Sequence, residues 1–258
     1  MSSTGRMSST DRTSTTRTPR RTLATLGPIE QLRAGRLPRR LVQLFVGLTL
    51  YGISLGMFVR AELGLDPWDV LHVGLTHHTP LTFGQVVIAA GIAVLLLWWP
   101  LRQLPGLGTV ANAVWIGVAA DATLALLDRP DALATRFALL IGAVLVNGVA
   151  TGMYIGAQLG PGPRDGLMTG LARRTGWSIR LVRTSIEVTV LALGWLLGGT
   201  VGLGTVLYAV AIGPLAQLFL PFFVVELPTP DSRADQAGKQ AQDAQPATSC
   251  TERGGLPT

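Results

Sequence analysis

The sequence predicts an all-α polytopic membrane helix bundle: six transmembrane helices forming two inverted-topology three-helix repeats, each with a short broken or re-entrant helix. Three observations predict it. Apolar residues make up 48% of the 258 positions, charged residues only 14%, and there are 31 glycines. The mean hydropathy is +0.42, which is membrane-protein composition. The charges are also segregated, leaving uncharged runs at 41–59, 80–101, 137–163 and 188–225, and a bilayer core needs about 20 such residues per helix. Finally, the chain aligns with itself, without a gap, at an offset of 96 positions.

The segment Leu63-Gly-Leu-Asp-Pro67-Trp-Asp69-Val-Leu71-His-Val-Gly74-Leu75 returns as Leu159-Gly-Pro-Gly-Pro163-Arg-Asp165-Gly-Leu167-Met-Thr-Gly170-Leu171. Gly106-Leu-Gly-Thr-Val110 returns as Gly202-Leu-Gly-Thr-Val206, and Gly52-x-x-x-Gly56-Met57 as Gly148-x-x-x-Gly152-Met153. From Gly52 to Gly117 roughly 40% of about 65 aligned positions are identical, which marks an internal repeat of two long copies. An odd number of crossings in each copy turns the second one upside down.

The elements follow in order. Residues 1–38, rich in Arg, Ser and Thr, read as a disordered cytoplasmic tail without the apolar stretch of a signal peptide. Repeat 1 (39–130) holds spans near 41–61, 82–101 and 107–127. Repeat 2 (131–227) holds spans near 136–158, 178–198 and 203–225, with Gly198, Gly199 and Gly202 splitting the last long apolar run. Between first and second spans lie segments at about 67–78 and 163–175, too short to cross and therefore re-entrant or interfacial. Residues 228–258 read as a second disordered cytoplasmic tail. Arg33, Arg36, Arg39 and Arg40 precede the first span and put the N-terminus inside. The 158–180 loop, with Arg164, Arg173, Arg174 and Arg180, is then inside as well. His77-His78 stand where the second copy has Arg173-Arg174, as inverted copies require, and the C-terminus is inside too.

Candidate binding residues come from the duplicated motifs and from charges within spans. Asp66-Pro67-Trp68-Asp69 and Gly162-Pro163-Arg164-Asp165 read as helix starts, with proline at the first position and an acid in the first turn. Helices broken at membrane depth build transporter sites from their N-termini. Asp69, Asp165 and Arg164 are therefore candidates for substrate or ion binding. Gly106, Gly108 and Thr109, with Gly202, Gly204 and Thr205, open the third spans, where backbone N–H groups can face an anion. Inversion brings each helix start to the same side as the other copy's glycine turn, Asp69 with Gly202–Thr205 outside and Asp165 with Gly106–Thr109 inside. Glu187, one turn after Arg183, and Asp121 are charges inside spans, which are costly there. Small residues four apart, such as Gly52/Gly56, Gly148/Gly152, Ala113/Gly117 and Ala209/Gly213, read as helix-packing positions.

Other chemistry finds no support. His72, His77 and His78 read as interfacial polar residues, without enough ligands for a metal site. No catalytic constellation or cofactor motif is present, so the chain reads as a non-enzyme without a cofactor. The net charge of +6 lies in tail and loops rather than on a basic face, which excludes nucleic acid as a partner. The partners expected are the lipid bilayer and a small molecule or ion, and a homo-oligomer is open to it.

The two signatures Gly64-Leu-Asp-Pro-Trp-Asp-Val-Leu71 and Gly160-Pro-Gly-Pro-Arg-Asp-Gly-Leu167, with Gly202-Leu-Gly-Thr and Ile212-Gly-Pro214, resemble the YczE/YitT-like family of bacterial integral membrane proteins. The resemblance covers about residues 40–226 and leaves the tails outside. It implies a multi-pass protein of the bacterial cytoplasmic membrane, with export or transport suspected for some relatives. The leading expectation is a secondary transporter or exporter of a small solute. The alternatives are a non-transporting assembly or regulatory factor for a partner protein, and a passive channel.

Overall fold

The computed structural model describes residues 27–227, and the regular elements among them are all helices. Most of the two expected tails (1–26 and 228–258) lies outside the described residues. Within the N-terminal segment expected to be disordered, helix α1 (Pro28–Arg33) nevertheless forms. Pro28 opens it, Gly27 N donates to Glu30 Oε2 at 3.0 Å, and the Arg40 guanidinium binds the Gln31 carbonyl at 2.5 Å.

Eight further helices follow: α2 (Leu37–Ala61), α3 (Pro67–Thr76), α4 (Phe83–Trp98), α5 (Leu107–Leu126), α6 (Leu133–Gly156), α7 (Pro163–Thr175), α8 (Ile179–Leu196) and α9 (Leu203–Phe223). Four of them, α2, α5, α6 and α9, are long and apolar enough to cross a bilayer. The expected spans 82–101 and 178–198 are the shorter α4 and α8, of 16 and 18 residues. At 1.5 Å per residue they measure about 24 and 27 Å, just under a hydrocarbon core of ~30 Å. Helix α4 is trimmed at its start by the reciprocal capping of Thr82 and Gln85 and ends in a turn where Arg102 has φ 51°. Arg180, Arg183 and Glu187 occupy the first half of α8.

Helix α2 packs against α5 and α6, and α6 against α9. Small residues make this possible. A Cβ on Gly52 would stand 2.5 Å from Ala119 Cβ, and one on Gly56 2.6 Å from Thr123 Cγ2. At the repeat-equivalent positions, Gly148 abuts Leu215 and Gly152 abuts Phe219 on α9. Glycine thus brings the first helix of each copy against the third, where apolar attraction alone would not. The short helices cross over instead: α3 lies on α8, and α7 on α4.

The chain breaks after α2 and α6 are closed by the opposite copy. Gly108 N donates to Leu159 O at 2.7 Å, and Gly204 N donates to Leu63 O at 2.7 Å. Arg40 Nε donates to Ala157 O at 2.8 Å and its Nη2 to Gln158 O at 2.6 Å. Arg136, 96 positions on, does the same to Ala61 O at 2.7 Å and Glu62 O at 2.9 Å. Gly64 and Gly160 lie at φ 111° and 122°, where only glycine is comfortable, and each sits against the other copy's glycine turn.

One seam differs between the copies. Helix α4 packs on α5, with Gly91 against Ala113 and Gly117 against Gly84 and Ile88. Helix α8 makes no comparable packing with α9, and around Gly213, the equivalent of Gly117, nothing lies within 4 Å. Gly204→Ala would drive a methyl into the Gly64 carbonyl, and overpacking of this kind costs ~1–3 kcal/mol. Gly213→Ala meets open space. Thermal unfolding in detergent, followed by circular dichroism, is expected to drop by several degrees for the first and to stay unchanged for the second.

Candidate functional site

The starts of α3 and α7 meet in the middle of the bundle. Asp66 caps α3, its Oδ1 accepting from Trp68 N at 2.9 Å and Asp69 N at 3.0 Å, and Pro67 takes the first helical position. Asp69 Oδ1 accepts from His72 Nδ1 at 3.0 Å, one turn along the same face. Asp66, Asp69 and His72 are 1%, 0% and 1% exposed. Helix α7 begins with Gly162 and Pro163 and has no side-chain cap. Its Arg164 guanidinium lies 4.8 Å from the Trp68 ring centroid, with Nη2 4.0 Å from Asp69 Oδ1. A guanidinium over an indole face with a carboxylate beside it is held by both cation–π and charge attraction. Trp68 and Arg164 are repeat-equivalent positions in direct contact.

Asp165 accepts a hydrogen bond from the Tyr154 hydroxyl at 2.8 Å, and Tyr154 meets Tyr51 edge-on at 6.1 Å between centroids. Trp98 Nε1 donates to Pro163 O at 3.0 Å, and its ring fills the notch left by Gly166. These groups surround a cavity of about 70 Å³, room for a few waters or a small solute. Tyr51, Trp68 and Tyr154 form aromatic walls; Val87, Ala90, Val94 and Ile116 line the apolar side; His72, Asn112, Arg164 and Asp165 face it with polar atoms. In the other half, Tyr208 replaces Asn112 and Phe58 replaces Tyr154, and those two rings pack at 5.8 Å. Asn147, in place of Tyr51, donates to Ser54 Oγ at 2.8 Å. Divergence between the copies therefore leaves room on one side and fills it on the other.

The residues singled out by sequence divide into three groups. Arg164 and Asp165 line the cavity, and Asp69 stands directly behind it, countering Arg164. Gly106, Gly108 and Thr109 and their mates Gly202, Gly204 and Thr205 hold the approaches to α7 and α3. The Gly108 and Gly204 N–H groups are committed to protein carbonyls, and Thr109 Oγ1 donates to Pro161 O at 2.7 Å. Glu187 and Asp121 lie elsewhere. Glu187 accepts from Arg183 Nε at 2.8 Å, one turn earlier on α8. Asp121 caps α4, with Oδ1 2.6 Å from Gly84 N and Oδ2 2.5 Å from Thr82 Oγ1.

Tyr51, Tyr154 and Asn112 were missed in the sequence as single uncharged residues on apolar stretches, and Trp68 was seen only as part of the helix start between Pro67 and Asp69. His72 was set aside as interfacial, although its three-residue spacing from Asp69 was a usable sign. Arg40 and Arg136 were also missed as a pair. Extending the self-alignment upstream of Gly52 would have matched them.

The family described as a family of unknown function, DUF6198, matches residues 38–221. The chain belongs to it. The match includes every helix that builds the cavity. The chain is 42% identical over 177 residues to an uncharacterized protein of Haemophilus influenzae, covering 69% of this chain and 81% of that one. It is 38% identical over 181 residues to the uncharacterized membrane protein YczE of Bacillus subtilis, covering 69% and 83%. A third relative, the uncharacterized protein YyaS of Bacillus subtilis, is 27% identical over 184 residues, covering 68% and 90%. No solved structure matches. With the apolar helices, the likeness to YczE makes the chain an integral membrane protein of the YczE-like family.

The Asp66 cap offers a direct check on how the α3 start is held. Asp66→Ala removes two hydrogen bonds to the first turn, which typically costs ~1 kcal/mol, whereas Asp66→Asn keeps the acceptor. Chemical unfolding in detergent is expected to show a clear loss for the first and a smaller one for the second.

Proposed function

We propose that the protein is a secondary transporter of a small solute in the bacterial cytoplasmic membrane, binding it in the cavity where α3 and α7 meet. In this reading α4 and α8 also cross the bilayer. The chain is then two inverted repeats of three crossings with both termini in the cytoplasm. The observation that carries it is the reciprocal contact of the copies combined with their unequal seams. Each copy's break is bonded by the other's glycine turn and arginine, and Trp68 touches its own equivalent Arg164, as a pseudo-two-fold axis demands. The ends of α4 and α7 bring Arg102, Arg173 and Arg174 together, while the equivalent end of the bundle has Gly198, His77 and His78. A cationic end opposite a neutral one supports the inverted orientation.

Alternating access in such folds comes from rocking one bundle against the other around a fixed site. Here the closed α4–α5 seam and the unpacked α8–α9 seam are two states of one contact, held at once by the two copies. The opposite state exchanges them, with α8 settling on α9 at Gly213 while α4 leaves α5.

Paired cysteines test this in a Cys250→Ser background. Gly91→Cys with Ala113→Cys reports the packed seam, where a Cβ on Gly91 stands 3.3 Å from that of Ala113, and Glu187→Cys with Ala209→Cys reports its equivalent. The first pair is expected to cross-link readily, the second to cross-link as an exchanging subpopulation, and either link to arrest uptake by proteoliposomes of whichever radiolabelled solute the parent moves. If the second pair never links within one chain, and no solute of a broad panel enters faster than into protein-free liposomes, the transport reading fails.

A further inference from the structure

We infer that the cavity takes a small organic ammonium ion, one carrying N–H donors and only a few carbon atoms. This deepens the transport reading and rests on it only for the cavity being a solute site.

The charges around the cavity carry the inference. Its one cation, Arg164, is already matched: Asp69 lies 4.0 Å behind it and the Trp68 ring lies beneath it. Asp165 is the remaining charge that faces the space, and its hydrogen bond comes from a neutral donor, the Tyr154 hydroxyl. Asp66, the buried cap of α3, adds a further acceptor oxygen, Oδ2, that has no partner in the protein. An anion entering here would confront Asp165, which also occupies the first turn of α7 and so already meets that helix dipole.

The acceptors point the same way. His72 lines the cavity and is buried, with Nδ1 toward the Asp69 carboxylate. A carboxylate at Nδ1 fixes the proton there and leaves Nε2 as an acceptor. That Nε2 has no partner in the protein. An unpaired buried acceptor is costly, and an ammonium N–H directed at it removes the cost. Tyr51, Trp68 and Tyr154 supply ring faces and edges around the position, suited to a cation with a short alkyl group. Among the described residues no three His, Cys, Asp or Glu side chains gather to hold a metal ion, which favours an organic cation over a metal.

The test is binding to the purified full chain in nanodiscs, by thermal shift and calorimetry at constant ionic strength, with methylammonium and ethylammonium chloride as probes. Potassium chloride, sodium acetate and glycine are the comparisons. Saturable stabilisation by the alkylammonium ions alone is expected, weakened at least tenfold in Asp165→Asn and strengthened severalfold in Asn112→Asp, which adds a carboxylate to the same wall. Strengthening is a change that damaged folding cannot mimic, so Asn112→Asp decides the matter if Asp165→Asn does not purify. Equal stabilisation by potassium, acetate or glycine, or unaltered alkylammonium binding in both variants, overturns the inference. Alkylammonium that binds with this variant pattern but is not carried into proteoliposomes supports the inference and counts against transport. A different solute carried, with no alkylammonium binding, overturns the inference and leaves transport standing.

Discussion

Backbone polar groups inside a bilayer have no water to bond, so every break in a helix must find its partners within the protein. This chain has two such breaks, after Ala61 and after Gly156, and each leaves carbonyls that its own helix does not bond. Neither copy satisfies its own break. The carbonyls of Ala61, Glu62 and Leu63 are taken by Arg136 and Gly204, and those of Ala157, Gln158 and Leu159 by Arg40 and Gly108. Arginine suits the task because its planar fork reaches successive carbonyls at once and never loses its charge. The two copies are thereby interlocked: removing one strands the polar backbone of the other.

That interlock positions the site. Once the breaks are held, the short helices α3 and α7 begin among buried residues and their starts lie against each other. The second residue of each helix then meets its equivalent, Trp68 against Arg164. A symmetric pair of arginines there would repel, and a pair of tryptophans would carry no charge to match the acids. The divergence at this one pair turns a packing contact into a polarised one. The same divergence at Asn112/Tyr208 and Tyr154/Phe58 opens space on one side and fills it on the other.

Much of this was legible in the residues. The Gly-x-x-x-Gly pairs on the first helices and the proline-acid starts of α3 and α7 appear in the structure, and the loops leading into those starts contact the other copy's glycine turns. Less legible was the use made of each group. Asp121 looks like an intramembrane charge but serves as the cap of α4, because Thr82 and Gly84 lie 37 to 39 residues away in sequence and arrive only through packing. Glycine N–H groups that could face an anion are occupied by carbonyls from the opposite copy. The cavity walls escaped notice because a tyrosine or asparagine on an apolar helix carries no periodic signal of its own.

The sequence by itself determined the class of the molecule, its duplication and the places where its helices stop, because length, apolar runs and proline or glycine act through neighbouring residues. Tertiary structure decided which charges are matched, which acceptors remain free and which copy holds the open space. Those depend on distances between residues about a hundred positions apart, set by how closely glycine lets one helix approach another.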